Sequence, residues 1–470
     1  MKGKNTPEKT KNVEKAREEQ KMGEKTIEKN AITEGVIWKQ LLIFFFPIML
    51  GTLIQQLYTT VDTIIVGRFV GKAALASVGG PAAVLSTIVV TFFNGLANGA
   101  AVIIAQYYGA KDRKSLHVGL HTAYLFSIVI SLIVSLVGTV LTPWLLTIMN
   151  TPQDMMADST IYLRIYFMGI LFTLVYNMGA AIMRAVGDSR RPLLYLLVCC
   201  VMNIILDIVM VVGMKMGIAG AALATVISQC VSAILVTWSL TRAYDAMKLK
   251  FRELRMDARV LKKELKIGVP GALQACAYGV TNVVIQASVN SFGTDTAAGW
   301  AAYGKLDLIF WTVSSALGAA VTTFAGQNYG AGKMDRVYKS IRVNVVISYI
   351  FTGAIIVILF VFCEPLYHMF TADPKVIEIG VYMLRFLIPS YLLENLSGGL
   401  RGLGDVFWPT IFTFGGLFFV RLPWIMILTK IHHEVEVLLI SYPLAWGGTL
   451  LCLIPYYFWR KKKRMKLAGR

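Results

Sequence analysis

Charge is scarce in this chain, and acid scarcest of all. Of 470 residues only 27 are Asp or Glu, against 46 Lys or Arg, and all charged residues together make up 16%. With 56% hydrophobic residues and a mean hydropathy of +0.62, that shortage excludes a soluble globule and points to a polytopic α-helical membrane protein. No phosphate-binding loop is present: neither Gly67–Lys72 nor Gly326–Lys333 has the G-x-x-x-x-G-K spacing. The energy for any transport is therefore expected from an ion gradient and not from ATP. Six cysteines show no metal or redox spacing and mostly sit inside apolar runs, where Cys acts as a small hydrophobe. There are five histidines, none inside an apolar run beside an acid, so no catalytic constellation is visible and the chain is not expected to be an enzyme. His117 and His121 have metal spacing but lack an acidic third ligand nearby in sequence, which leaves zinc without support. No cleavable signal peptide is visible, because the first apolar run begins only at about residue 41.

Twelve apolar segments follow a Lys/Glu-rich start, the first at 41–67 and the last at 435–459. The second and eighth are long and Gly-rich, so a tilt or a break is expected there. The connections after segments two, four, six, eight and ten are basic. Those on the other side are sparser in basic residues, or acidic, as at Asp154/Asp158 and Glu434/Glu436. The positive-inside rule then places both termini in the cytoplasm of a multi-pass cell-membrane protein. The formal charge of +19 is explained by cytoplasmic loops, not by nucleic acid.

The two halves repeat. Gln106-Tyr-Tyr-Gly-Ala returns as Gln327-Asn-Tyr-Gly-Ala, and Arg184-Ala-Val-Gly-Asp188 returns as Arg401-Gly-Leu-Gly-Asp405. Pro47 is matched by Pro270 in the same way. Six spans per half is an even number, so the halves should be related by an axis along the membrane normal. The expected organisation is a charged cytoplasmic tail (1–38), an N-lobe (39–241), a cytoplasmic linker (242–266), a C-lobe (267–460) and a basic tail (461–470).

Within this apolar background, the fifth segment carries Asn203 and Asp207 one helical turn apart, roughly 5–6 Å at Cβ. Thr225 lies as far beyond the following turn as Asp207 lies before it, so the two should share a depth. Asp62 sits near the same end of the first segment. An ionised Asp inside a transmembrane helix costs about 2.5–3.5 kcal/mol on insertion scales. Two such acids without basic neighbours must share a proton or hold a cation, which favours an ion site over simple polar packing of helices.

These motifs resemble the multidrug and toxic compound extrusion (MATE) family: Phe-Pro near the start of span one, Val-Asp-Thr at 61–63, the two Gln-x-Tyr-Gly-Ala stretches and the two Arg-x-x-Gly-Asp stretches. The likeness covers residues 38 to 460. It implies an all-α fold of twelve transmembrane helices in two pseudo-twofold related six-helix lobes, and secondary-active export of small organic compounds, cationic or amphipathic, in exchange for Na⁺ or H⁺. It also implies a cation site at Asp62, Asn203, Asp207, Thr225 and the Ala221 carbonyl, with no further cofactor. One branch of the family has a Glu in span seven, but Gly268–Val280 contains no acid.

In the second half, Val420 and Trp424 replace Asn203 and Asp207, and Arg421 stands beside them. Arg421, Asp307 and Glu394 are candidates for substrate contact or gating, or for internal ion pairs. Asn282 and Gln286, one turn apart on span seven, are candidates for cavity lining or for interhelical hydrogen bonds. The expected partners are a small-molecule substrate and the bilayer. A monomer is compatible with the sequence, which leaves oligomeric state open. The alternatives are a lipid-linked precursor flippase of the same wider superfamily and a non-transporting membrane receptor. A flippase for anionic head groups would need a cationic cavity, whereas the concentrated buried charge expected here is acidic.

Overall fold

A computed structural model describes residues 31–243, 245–393 and 397–468. Among them no strand occurs, and the chain forms twelve long helical elements: α1 (Ile37–Phe69), α2 (Ala74–Gly109), α3 (Arg113–Ile148), α4 (Gln153–Ala185), α5 (Arg190–Gly213), α6 (Gly217–Thr241), α7 (Ala258–Ser291), α8 (Thr294–Gly330), α9 (Met334–Val361), α10 (Pro374–Leu393), α11 (Phe407–Ile431) and α12 (Val435–Ala468). Eleven are long and apolar enough to cross a membrane. The twelfth, α7, opens with Lys262, Lys263, Glu264 and Lys266 and later carries Asn282, Gln286 and Asn290, which lowers its hydropathy without shortening it. Large apolar side chains stand bare along outward faces, as at Leu132, Ile133, Leu136 and Val140 of α3. In water that stripe would be a liability; against lipid it is the solvated face.

Sequence punctuation explains the irregularities. α2 is broken at Val78–Ala82, where Gly80 leaves helical geometry ahead of Pro81, which has no N–H to donate. α8 is Gly-rich too, yet runs 37 residues unbroken. Its glycines come with no proline, and its interior is held by packing. π-Helical turns interrupt α5 at Ile208–Gly213 and α11 at Gly415–Arg421. The 242–266 stretch is tied back to α3: His117 Nε2 meets Glu253 at 2.8 Å, and the Lys250 N–H donates to His121 Nε2 at 3.1 Å. The structure thus supplies the acid that the sequence around His117 lacks. However, His121 Nδ1 is already bonded to the His117 carbonyl, so neither ring nitrogen of His121 is free for a metal. Upstream of α1, the Ile32 carbonyl accepts from Arg336, fixing that segment to the start of α9.

The lobes meet at one end of the bundle, the end with the basic connections. There the two repeated motifs clasp each other. Each Arg-x-x-Gly-Asp stretch ends a helix in a Schellman turn. The Gly187 N–H bonds the Arg184 carbonyl and the Asp188 N–H bonds the Met183 carbonyl, and the Gly404 and Asp405 N–H groups bond Arg401 and Leu400 in the same pattern. Gly187 and Gly404 have φ of 98° and 76°, the left-handed geometry this turn needs. Such a turn leaves the carbonyl of the last helical residue without an intrahelical partner. In each lobe that carbonyl is capped from the other lobe. Gln327 Nε2 donates to the Ala185 oxygen at 2.7 Å, and Gln106 Nε2 donates to the Gly402 oxygen at 3.1 Å.

The clasp requires α2 and α8 to touch backbone to backbone. A Cβ on Gly109 would lie 1.9 Å from the Gln327 oxygen, and one on Gly330 would lie 1.9 Å from the Gln106 oxygen. About three to four turns further in, Gly95 and Gly99 of α2 pack directly on Ala272 and Gly268 of α7. Phe44 and Phe45 of α1 join Leu317, Ala320 and Phe324 of α8 in a shared apolar cluster. Gly109→Val and Gly330→Val should therefore each open this end of the molecule. Spin labels at the exposed Lys111 and Asp335, read by pulsed dipolar spectroscopy, should shift to longer distances in either variant. Distance distributions identical to those of the parent would show that the close approach does not hold the lobes together.

Candidate functional site

Four polar side chains expected to meet do meet, deep in the N-lobe. Asp62 on α1, Asn203 and Asp207 on α5 and Thr225 on α6 are all buried, at 6%, 1%, 0% and 8% exposure. The sequence reason is the hairpin. α5 turns back into α6 through Lys215 and Gly217, both in left-handed geometry, which places Thr225 opposite Asn203. Asn203 Nδ2 donates to Thr225 Oγ1 at 3.5 Å. The Asp62 and Asp207 carboxyl groups are close enough to act on each other, and among the described residues no Lys or Arg is paired with either. Ala221 is fully buried one turn before Thr225.

The oxygens here are short of partners. Asp62 Oδ1, Asn203 Oδ1 and both carboxylate oxygens of Asp207 are buried without a hydrogen bond to the rest of the protein. Orphaned buried acceptors are costly, and four in one place form an oxygen-only donor set short of a proton or a hard cation. The chemistry of that set fits Na⁺ or H⁺ and offers no soft ligand. Sequence reasoning missed two neighbours. Tyr58 lies one turn before Asp62 and Gln229 one turn after Thr225, and both line a cavity of about 50 Å³ beside Thr225. Their i,i+4 spacing from two chosen residues was the available signal.

The C-lobe candidates are arranged differently. Asp307 on α8 is caged by donors: Tyr391 at 2.7 Å, Tyr303 at 3.3 Å and Trp311 Nε1 at 2.9 Å. Arg421 is 2% exposed and lies over the Tyr442 ring at 3.3 Å, with Nε and Nη2 unpartnered. Among the described residues it forms no ion pair with Asp307, so the pairing considered for them is not made. The aromatic cage takes the place of a salt bridge on both sides. Glu394 lies outside the described residues. Asn282 and Gln286 are exposed, and Gln286 donates to Asn290 along its own helix, so neither joins this cluster.

A larger cavity, of about 380 Å³, lies between the lobes just above the clasp. Its walls include Asn98, Gln274, Tyr278 and Trp311, and both motif arginines, Arg184 and Arg401, reach it.

A family model described as MatE matches residues 47–209 and 270–427. The chain belongs to the MatE family. Probable multidrug resistance protein YoeA of Bacillus subtilis (strain 168) is 29% identical over 448 residues, covering 92% of this chain and 96% of the relative. Probable multidrug resistance protein YpnP of the same organism is 31% identical over 378 residues, covering 79% and 83%. Among solved structures, a MATE crystal structure in the bent conformation superposes with a TM-score of 0.85 at 20% identity, covering 93% of this chain and 98% of that one. The outward-facing conformation of a multidrug resistance MATE family transporter gives a TM-score of 0.83 at 19% identity, covering 94% and 98%. That likeness fixes the fold of this MatE protein.

Facing carboxyl groups without a counter-ion repel when both ionise. Asp62→Asn and Asp207→Asn should therefore each stabilise the purified protein in Na⁺-free alkaline buffer, by about 1 kcal/mol. Together the two should give less than the sum. Thermal unfolding followed by fluorescence-detected size exclusion reads this, and strict additivity would show that the two carboxyl groups do not interact.

Proposed function

We propose that Asp62 and Asp207 carry the driving ion of this protein, with Asn203, Thr225 and the Ala221 carbonyl completing the site. As a MatE protein it is a secondary-active efflux transporter, exchanging small organic compounds for an inward-moving cation. The observation behind the ion assignment is the set of orphaned buried oxygens in the N-lobe, four acceptors with no basic neighbour. Two states of the pair relieve them: a shared proton, or a cation held by both carboxyl groups. Both states add one positive charge to the site, and both become less favourable when water can reach the acids. The N-lobe (39–241) then acts as the coupling lobe. The C-lobe (267–460) uses the aromatic cage around Asp307 and the buried Arg421 as fixed charges that contact substrate or gate the path.

Gradient-driven export from inverted membrane vesicles tests the assignment. Asp62→Asn and Asp207→Asn should each abolish export while the protein still inserts. Thr225→Val deletes a ligand without touching an acid, so it should raise the Na⁺ needed for half-maximal export about tenfold and leave a proton-driven component intact. Wild-type export and unchanged gradient dependence in either Asp variant would place the coupling ion elsewhere.

The basic end of the bundle faces the cytoplasm in this reading, so both termini and the 242–266 linker are cytoplasmic and the structure is closed on that side. Single cysteines at Asp154 and Lys248 in a Cys-less background should differ in labelling by an impermeant reagent applied to intact cells. Only the one at 154 should react; labelling at 248 alone would reverse the orientation.

A further inference from the structure

On the outer wall of the bundle, at its basic end, the first turns of α1 and α9 leave a groove of about 750 Å³ between them. Trp38 and Leu42 of α1 form one side, and Lys339, Arg342, Val346 and Ile350 of α9 lie along the other. The groove is graded along its length. Lys339 and Arg342 share one face of α9 at its mouth, three residues apart. Beyond them every lining residue of α9 is apolar, as far as Phe351. The Phe351 ring packs on Phe45 and Phe46 of α1, with centroids 5.2 and 6.4 Å away, and closes the far end. From Lys339 to Phe351 is about 18 Å at the rise of an α-helix. One leaflet contributes about 15 Å to the hydrocarbon core of a bilayer. The groove therefore has the length of one leaflet, with its cations at one end. Trp38, 56% exposed, stands at that same end, at the level where indole rings favour the membrane–water interface.

The two cations at the mouth are not consumed by the protein. Lys333 and Arg336, one turn and less before Lys339, are held by the segment upstream of α1. Lys333 donates to the Thr33 carbonyl, and Arg336 donates to the Ile32 and Gly35 carbonyls. The acids nearby are Glu34, which acts on Arg336, and Asp335 in the first turn of α9. Among the described residues neither acid forms an ion pair with Lys339 or Arg342, and no acid lines the groove. The Tyr457 hydroxyl of α12 feels the Arg342 charge but carries none to neutralise it. Both cations are exposed, so both can meet a head group.

We propose that this groove retains one anionic phospholipid, its phosphate on Lys339 and Arg342 and one acyl chain along Val346 and Ile350. Arginine matches phosphate oxygens with a planar fork, and lysine adds a point charge beside it. A basic pocket between transmembrane helices is the setting in which anionic head groups are selected over the surrounding lipid. A zwitterionic lipid offers the same phosphate but brings its own cation to a site that already has two. The lipid would touch α1 and α9 at once, adding to the contact by which α1 joins the C-lobe. The proposal goes beyond the export reading and holds whichever ion drives the protein.

Native mass spectrometry of the purified full-length protein in neutral detergent provides the test. The probes are palmitoyl-oleoyl phosphatidylglycerol and palmitoyl-oleoyl phosphatidylcholine, which share their chains and differ in head group. The first phosphatidylglycerol should bind at least tenfold more tightly than the first phosphatidylcholine. Lys339→Gln and Arg342→Gln should each weaken phosphatidylglycerol about fivefold and leave phosphatidylcholine unchanged. Lys262→Gln, which removes an exposed lysine at the start of α7 outside the groove, should change neither. Val346→Trp fills the apolar stretch at a position 57% exposed, so it should weaken both lipids without touching a charge. Equal affinity of the parent for the two lipids would overturn the proposal. So would an equal loss in Lys262→Gln and Lys339→Gln, which would show a general attraction to basic surface. A lipid-free dimer of the parent that Val346→Trp abolishes would give the groove to a second copy of the chain and overturn it as well.

Discussion

The structure depends on how two helix ends are finished. A Schellman turn closes each Arg-x-x-Gly-Asp helix and leaves one carbonyl in need of a donor. In an apolar setting an unmet carbonyl is expensive, and water is excluded where the lobes touch. The donor comes from the other lobe, from the Gln of the Gln-x-Tyr-Gly-Ala stretch, and twofold repetition makes the exchange reciprocal. The glycine three residues after each Gln then lets the other lobe's backbone approach. Opening this end breaks both bonds together and exposes both carbonyls, which makes the seal an all-or-none element and not a graded one. Water can satisfy the same groups once the end is open, so the barrier is in the parting and not in the final state.

Duplication has left the frame symmetric and the interior asymmetric. The N-lobe holds an acid pair whose oxygens lack donors; the C-lobe holds an acid with three donors and an arginine against an aromatic face. An acid surrounded by fixed hydroxyl and indole donors has its charge satisfied by the protein, and nothing in that arrangement asks for a mobile ion. An acid facing another acid has no such satisfaction. In the reading proposed above, this difference in hydrogen bonding, more than the difference in charge, favours the N-lobe pair for coupling and leaves Asp307 and Arg421 as fixed charges.

Much of this was legible from residues alone, and for a physical reason. Apolar runs, loop charge and internal repeats report the bilayer, which constrains a chain more strongly than water does. The N-lobe set could be found because hairpin geometry converts sequence distance into depth, which put Thr225 at the level of Asp207; in the structure its hydroxyl instead meets Asn203, one helical turn away. What could not be read was direction around a helix axis. The repeated glutamines and arginines were visible as markers, but which carbonyl Gln327 meets, and that Arg184 and Arg401 reach a cavity, depend on interlobe packing. The same limit applies to Arg421. A buried arginine called for an acid, and the structure answered with the face of Tyr442. Asn282 and Gln286 fell on an exposed face, which their spacing on one helix could not decide.

α1 connects the two regions that matter most. Its first turns, from Ile37 to Phe45, pack among Val313, Leu317, Ala320 and Phe324 of the opposite lobe, and its later turns carry Tyr58 and Asp62 into the N-lobe site. From Phe45 to Asp62 is about 25 Å at the rise of an α-helix. Pro47 stands just past the first region, where it removes one backbone bond and leaves the Ile43 carbonyl without its usual donor. A change in the charge of the Asp62 and Asp207 pair acts on one end of this helix, and the other end is embedded in the seal between the lobes. Any displacement at Asp62 must therefore be absorbed near Pro47 or passed to the packing against α8. The acid pair and the clasp are thus in mechanical series along a single helix, and no separate route through the lobe is needed to connect them.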